Sequence, residues 1–295
     1  MITDKRAFRV AAYIFVALLV LACLIPFWLL VTSSLTPETD LLTKGYSLFP
    51  ENFTLDTYEY LWSVRDGVLR AYLMSAVIAV TGVTISLMLT TLFAYPLSRR
   101  DLPGRRFISI FLFLTMLFNG GLVPTYLVYT QILHIKDTLA GMIVPYLLMN
   151  AFNVIMMRTY INSNIDDAIL EAAHIDGAGE FKCLLSIVLP VSKPILGTLA
   201  LMSFIAYWNN WTNGIYFIQT RTDLLGIQNY LKRIMDNASG MQQLVSSGAA
   251  VDLSQIPTMG IRMALAVIAV IPVLVVYPFF QRFFVQGITL GSVKG

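Results

Sequence analysis

The sequence predicts an all-α integral membrane protein with six transmembrane helices and a cytoplasmic helix–turn–helix between the fourth and the fifth. Three observations predict it. Charged residues make up 13% of the 295 and hydrophobic ones 57%, against about 25% charged in soluble domains. The few charges are segregated, leaving six apolar intervals of the roughly 20 residues that a bilayer-crossing helix needs. The lysines and arginines collect in alternate connections, as the positive-inside rule describes for cytoplasmic loops.

The elements follow in order. Residues 10–33 form the first span, behind Lys5, Arg6 and Arg9. The run exceeds the about 7–15 apolar residues of a signal-peptide core and shows no small-residue cleavage site, so it reads as retained. The connection from Thr36 to Asp66 carries Glu38, Asp40, Glu51, Asp56, Glu59 and Asp66 against Lys44 and Arg65, which places it outside. Residues 71–97 form the second span, between Arg70 and Arg99. Arg99, Arg100, Arg105 and Arg106 then mark a cytoplasmic turn into the third span, 107–133. Residues 138–158 follow as the fourth, 191–218 as the fifth and 262–282 as the sixth, with a cytoplasmic tail over 283–295. Backbone polar groups in hydrocarbon must be paired within the segment, so each span is helical. Interior Pro26, Pro124, Pro145 and Pro272 should kink them. The outer stretch from Trp208 to Ile261 holds Ile227, Tyr230, Leu231, Ile234 and Met235 at helical spacing, which predicts a short amphipathic helix. Both termini are cytoplasmic.

The same composition excludes several functions. The net charge of +3 follows the topology and needs no nucleic-acid partner. Cys23 and Cys183 give neither metal-ligand spacing nor a disulfide framework. His134 and His174, the only histidines, fall on opposite membrane faces. The sequence contains no G-x-x-x-x-G-K-[ST] and no H-E-x-x-H. An enzyme is not expected.

The polar stretch 164–190 is the most informative. Ile165, Ala168, Ile169, Ala172 and Ile175 share one helical face, Asn164 is placed to cap the helix, and Gly177 to end it. Phe181, Leu184, Leu185, Val188 and Leu189 make a second stripe, and Pro190 and Pro194 mark the bend into the fifth span. Small Ala172 and Ala173 beside the fixed charge of Glu171 suit a docking surface for a basic pocket. An amphipathic helix lying at the membrane interface is the other reading, although such helices carry Lys and Arg rather than acids on their polar face.

Glu171-Ala172-Ala173, then Gly177, Ile187 and Leu189-Pro190, keep the order and spacing of the EAA loop. The chain resembles the permeases of binding-protein-dependent ABC importers. "IDGAGEF" and "LPVSKPIL" resemble the carbohydrate, maltose-type branch. "FNGGLVPTYLV", "YWNNW" and "FFVQGITLGSVKG" resemble an oligosaccharide-transporting subgroup, so the likeness covers most of the chain. Asp166 stands where the family often has Pro, and Ala168 where it often has an acid.

The resemblance implies the type I importer permease fold, in a bacterial plasma (inner) membrane. It implies four kinds of partner: a second homologous permease, two ATPase subunits, an extracytoplasmic solute-binding protein, and membrane lipid. ATP and Mg would be bound by the ATPases, with no cofactor on this chain. Glu171 would pair with a basic residue of an ATPase groove. Ala172 and Ala173 would allow close approach, Asp176 and Gly177 would form the turn, and Ile187, Leu189 and Pro190 would brace the second helix. The tail from Gln286 to Gly295 would reach the ATPase as an extended segment.

A sugar route needs hydrogen-bonding groups and aromatic faces. Asn119, Tyr126, Asn150, Asn153, Tyr207, Trp208, Asn209, Asn210 and Trp211 have that chemistry. Interhelical polar contacts and interfacial aromatics would use the same residue types. A secondary transporter or channel is the alternative function, but the spans hold no ionisable residue away from their ends, where such proteins place proton or ion relays.

Overall fold

The structure, a computed structural model, describes residues 3–246 and 258–292. Among these, fifteen α-helices follow one another: α1 (Thr3–Ser34), α2 (Glu38–Lys44), α3 (Asp56–Ser63), α4 (Arg65–Ser98), α5 (Arg105–Leu117), α6 (Leu122–Leu127), α7 (Leu139–Ile143), α8 (Ala151–Asn164), α9 (Asp167–Ile175), α10 (Glu180–Cys183), α11 (Leu189–Val191), α12 (Lys193–Trp208), α13 (Thr212–Phe217), α14 (Ile227–Ser246) and α15 (Thr258–Ser292). A π-type turn, Val128–Ile132, extends α6, and another, Leu184–Val188, joins α10 to α11.

Three stretches are long and apolar enough to cross a membrane by themselves: Phe8–Ser34, Arg65–Ser98 and Met259–Gln281. The apolar side chains of α1, from Phe8 to Trp28, are exposed on every side of the helix. A helix apolar all round needs an apolar surrounding, either lipid or another helix.

The other predicted spans are interrupted, which corrects the expectation of six continuous helices. Residues 107–133 form Arg105–Leu117 and Leu122–Ile132, bent by 115°. The break lies at Asn119-Gly120-Gly121, where Gly121 takes φ +83°. Pro124 falls in the first turn of α6, where its missing N–H costs nothing, rather than at a kink. Residues 138–158 divide into α7 and α8 around an irregular link in which Pro145 is buried and Tyr146 has φ +65°. In the fifth interval, Glu180–Val191 meets Lys193–Trp208 at 80°, and α12 stops at Trp208 before α13 begins at Thr212. The bend between Pro190 and Pro194 is where the sequence places it. The tail differs too. The α15 backbone stays helical through Ser292, so Gln286–Ser292 is not extended. Residues 293–295 lie outside those described.

The described residues fall into two compact units, drawn from Met1–Val68 with Tyr230–Pro272 and from Leu69–Asn229 with Val273–Gly295. In the first, the acidic connection between α1 and α4 is tied to the helices. Trp28 Nε1 donates to the Leu48 carbonyl (3.0 Å), and Ser34 Oγ lies 2.8 Å from Tyr58 Oη. The Glu38 carboxylate accepts the backbone N–H groups of Met259 (2.9 Å) and Gly260 (3.0 Å), satisfying donors that the start of α15 leaves open.

The second unit holds two apolar clusters. One joins the ends of α4, α5, α8 and α12 to the 164–190 loop through Ala94, Tyr95, Leu112, Met157, Leu170 and Leu184. The other gathers Ile78, Met142, Ile143, Tyr207, Ile218 and Leu224. Gly82 of α4 lets the Tyr207 ring lie on its backbone, where a Cβ would collide with it. Beside the second cluster, Asp137 Oδ1 accepts the backbone N–H groups of Gln219 (2.7 Å), Thr220 (2.8 Å) and Arg221 (3.3 Å). Those donors, Gln219's first, hold its carboxyl down at about 2.

Candidate functional site

The loop between α8 and α12 is built from the residue upward. Ile165 is extended and buried, so the chain becomes helical only after Asp166. Asp166 is therefore the N-cap, its carboxylate accepting the Ala168 N–H at 3.1 Å. Asn164, expected in that role, ends α8 and donates its Nδ2 back to the Tyr160 carbonyl at 2.9 Å. At the far end Asp176 donates its N–H to the Ala172 carbonyl (3.0 Å), Gly177 to His174 (2.9 Å) and Ala178 to Ala173 (2.9 Å). Gly177 has φ +81°, the left-handed turn expected of it.

The apolar stripe of α9 is not its inward face. Leu170, 2% exposed, anchors the helix in the first cluster with half-buried Ala173 beside it. Ala168, Ile169, Glu171, Ala172 and Ile175 point outward, Ile175 being 87% exposed. The stripe is real, but the chain does not cover it. In the second helix Cys183, Leu184 and Val188 are buried, Ile187 and Leu189 half-buried, and Phe181, Leu185 and Pro190 exposed.

A polar clamp holds the two helices together. His174 Nδ1 lies 2.5 Å from the Leu170 carbonyl and Nε2 lies 2.9 Å from Glu180 Oε1. A carbonyl and an ionised carboxylate only accept, so the arrangement favours the doubly protonated imidazolium. The Leu170 carbonyl first, then Glu180, raises the His174 pKa above its ordinary value. The other Glu180 oxygen accepts the hydroxyl of Tyr95, at the end of α4. Tyr95 first, with His174, holds Glu180 below the usual carboxylate range. Arg100 Nε reaches Asp167 Oδ2 at 3.3 Å across an exposed gap. Leu170, His174, Glu180 and Tyr95 all escape a sequence reading. Tyr95 lies 85 residues before Glu180, and a lone tyrosine near the end of an apolar run announces no partner.

The residues expected along a sugar route scatter. Asn150, Asn153 and Tyr207 line one cavity of about 190 Å³ with Tyr146, Phe152 and Ser203. Asn150 also caps α8, accepting the N–H groups of Phe152 (2.9 Å) and Asn153 (3.4 Å), and buried Tyr207 donates its hydroxyl to the Ile143 carbonyl (3.1 Å). Asn119 and Asn210 fold turns, accepting the Gly121 and Asn213 N–H groups at 2.9 Å each. The Tyr126 ring stacks on Phe217 and the Trp208 ring on Phe204, with centroids 5.9 and 5.7 Å apart. Asn209 and Trp211 are exposed. Asn213, unremarked in the sequence, is wholly buried and ties the irregular 144–150 link down by donating to the Met142 (3.1 Å) and Pro145 (3.0 Å) carbonyls.

Comparisons with known proteins agree with a helical membrane scaffold. The chain is 37% identical over 291 residues to the polygalacturonan/rhamnogalacturonan transport system permease protein YtcP of Bacillus subtilis (strain 168), covering 99% of both chains. It is 32% identical over 291 residues to protein LplC of the same organism, covering 98% of this chain and 96% of that one. It is 30% identical over 294 residues to the trehalose/maltose transport system permease protein MalG of Thermococcus litoralis, covering 97% of each. Among solved structures, a chain of a bacterial ABC transporter involved in the import of the acidic polysaccharide alginate matches with a TM-score of 0.77 and 26% identity, over 95% of this chain and 98% of that one. Residues 64–290 match the family described as binding-protein-dependent transport system inner membrane component, and the chain belongs to that family.

Proposed function

We propose that the chain is one permease of an ATP-driven, binding-protein-dependent importer of oligosaccharides. In this reading it works with a second, homologous permease, two ATPase subunits that bind ATP and Mg, and an extracytoplasmic solute-binding protein. It is a multi-pass protein of the bacterial plasma membrane, with both termini and the 164–190 loop in the cytoplasm. The relatives' names, which speak of polygalacturonan, rhamnogalacturonan, trehalose and maltose, support a sugar polymer or oligosaccharide as cargo.

One observation carries the reading. Helix α9 is fixed to its own fold through Leu170 and the His174–Glu180–Tyr95 clamp, yet turns Ala168, Ile169, Ala172 and Ile175 outward around Glu171. An exposed apolar and small-residue face on a rigidly held helix suits a partner groove. Glu171 supplies the charge that orients it, and Asp176 and Gly177 shape the end that enters. Ile187, half-buried against the first cluster, and half-buried Leu189 pass a displacement of α9 to α12 through the bend at Ser192. ATPase closure then favours one of two transmembrane arrangements through contacts that differ between them. The cavity of Asn150, Asn153 and Tyr207 is the proposed point on the sugar path. Asn119, Tyr126, Trp208, Asn209, Asn210 and Trp211 are assigned to its surroundings.

The test is co-purification. Glu171→Lys should abolish recovery of the ATPase with the permease while leaving membrane insertion intact. Undiminished recovery removes Glu171 as the anchor. Uptake into proteoliposomes by this permease down an ion gradient, without an ATPase, would overturn the whole reading in favour of a secondary transporter.

A further inference from the structure

Three arginines converge on one cavity next to the loop just described, and Arg105 also lines a neighbouring space with Asp166 and Asp167. A space of about 590 Å³ is lined by Arg105, Arg106, Ser109, Ile110, Phe113 and Arg158, where α5 packs on α8. Other arginines of this region have acidic partners: Arg99 reaches Asp101 and Arg100 reaches Asp167, each at 3.3 Å. Among the described residues no carboxylate lies within ion-pair distance of Arg105, Arg106 or Arg158. Two of the three are nevertheless held in place. Arg158 Nη1 donates to Ser109 Oγ at 3.2 Å, and Arg105 Nε donates to the Leu97 carbonyl at 3.0 Å. Three like charges gathered without a counter-charge repel one another unless an anion joins them. The cavity also lies in the first turns of α5, whose 13 residues add the positive end of a helix dipole.

The rest of the lining decides which anion. Ile110 and Phe113 are about half exposed, on the apolar run that begins directly after Arg106. Guanidinium groups at one end and bare apolar side chains at the other match an amphiphile, with a phosphate oxyanion against the arginines and acyl chains along α5. A free phosphate would use only the first half. We propose that this cavity is a binding site for the phosphodiester headgroup of an anionic phospholipid, held by Arg105, Arg106 and Arg158. The site requires only that α5 meets a membrane surface, and is independent of coupling to an ATPase.

The experiment uses the full chain in phosphatidylcholine nanodiscs doped with a photoactivatable phosphatidylglycerol or, separately, a photoactivatable phosphatidylcholine. Crosslinks are mapped by peptide. Phosphatidylglycerol should label the α5 peptide containing Ile110 and Phe113 well above phosphatidylcholine, and each of Arg106→Gln and Arg158→Gln should cut that labelling about fivefold, as one membrane-proximal charge contributes. Labelling of α1, exposed all round, is the internal reference for insertion and folding, and Arg70→Gln, at the opposite end of α4 from Leu97, is the remote charge control. Equal labelling of α5 by both lipids overturns the proposal, as does preference unchanged in both variants. Abolition of the labelling by millimolar inorganic phosphate, without preference for phosphatidylglycerol over phosphatidylcholine, assigns the arginines to free phosphate and equally overturns it.

Discussion

Glu180 and His174, which clamp the 164–190 loop, have pKa values shifted in opposite directions, and this gives the loop a pH window. The Glu180 carboxyl is lowered from the ordinary 4.5, so its contribution is full above 4.5 and is lost as pH falls through the lowered value. His174 is raised from 6.5, so its contribution is full below 6.5 and is lost as pH rises through the raised value. The loop should therefore be held most firmly between those limits. Amide exchange at Ala178, whose N–H bridges to Ala173, reports it once corrected for intrinsic rates. Protection should decline on both sides of the window and lose that shape in Glu180→Gln. A flat profile from pH 4 to 9 in the unaltered chain would remove the clamp from the argument. Tyr207 makes the complementary point about side chains in the spans. Its residue type suggests a sugar contact, but its ring rests on Gly82 and its hydroxyl serves the Ile143 carbonyl. Tyr207→Phe leaves that carbonyl unpaired and should cost about 1–3 kcal/mol in thermal or denaturant unfolding, with the packing of the ring retained. The chemistry of these residues is legible in the sequence. Their partners, 85 and 64 residues away, are not.

At the scale of elements, the helix–turn–helix was legible because local rules determine it: a stripe at helical spacing and a glycine, although the cap is Asp166 and not Asn164. Gly177 shows how sharply. A Cβ there would meet no atom within 4 Å, so any cost of substitution comes from the backbone at φ +81°. Gly177→Ala should destabilise the loop by about 1–2 kcal/mol, and Gly177→Asn by less, since Asn tolerates this conformation. Amide exchange over 174–180 measures both. Which face of α9 turns inward was not legible, because periodicity locates a stripe without saying whose surface covers it. The consequence can be measured. Leu170→Ala should cost about 2–5 kcal/mol in stability, whereas Ile175→Ala should change stability by no more than about 0.5 kcal/mol yet weaken ATPase recovery. Loss of stability from both alike would place Ile175 inside the fold. The interrupted spans were missed for a related reason. Composition registers how apolar a segment is, and 107–133 and 138–158 stay apolar across breaks made by Asn119-Gly120-Gly121 and by the Asn213 tether to Met142 and Pro145.

For the whole molecule, charge segregation and helix geometry bear on the same question, which is where the membrane lies. Long apolar helices can be placed in either orientation. By the positive-inside rule the arginines around the second-to-third connection and the acids between Thr36 and Asp66 favour one, and the proposed reading puts the 164–190 loop on the arginine side. The interrupted segments make this worth testing, since a re-entrant pair returns the chain to the side it left and would invert everything after it. Single cysteines in a background of Cys23→Ser and Cys183→Ala answer it, so that each label reports one position. Glu51→Cys, on the acidic connection, should react with a membrane-impermeant maleimide in intact cells. Glu171→Cys, on the outward face of α9, should react only in inverted vesicles or after permeabilisation. Glu51 lies before every break and Glu171 after the first two, so the pair reads out the net number of crossings between them. Opposite sides require an odd number. Labelling of both positions from outside would mean an even number, would put α9 beyond the reach of a cytoplasmic ATPase, and would remove the proposed coupling role even if every contact within the loop stood as described.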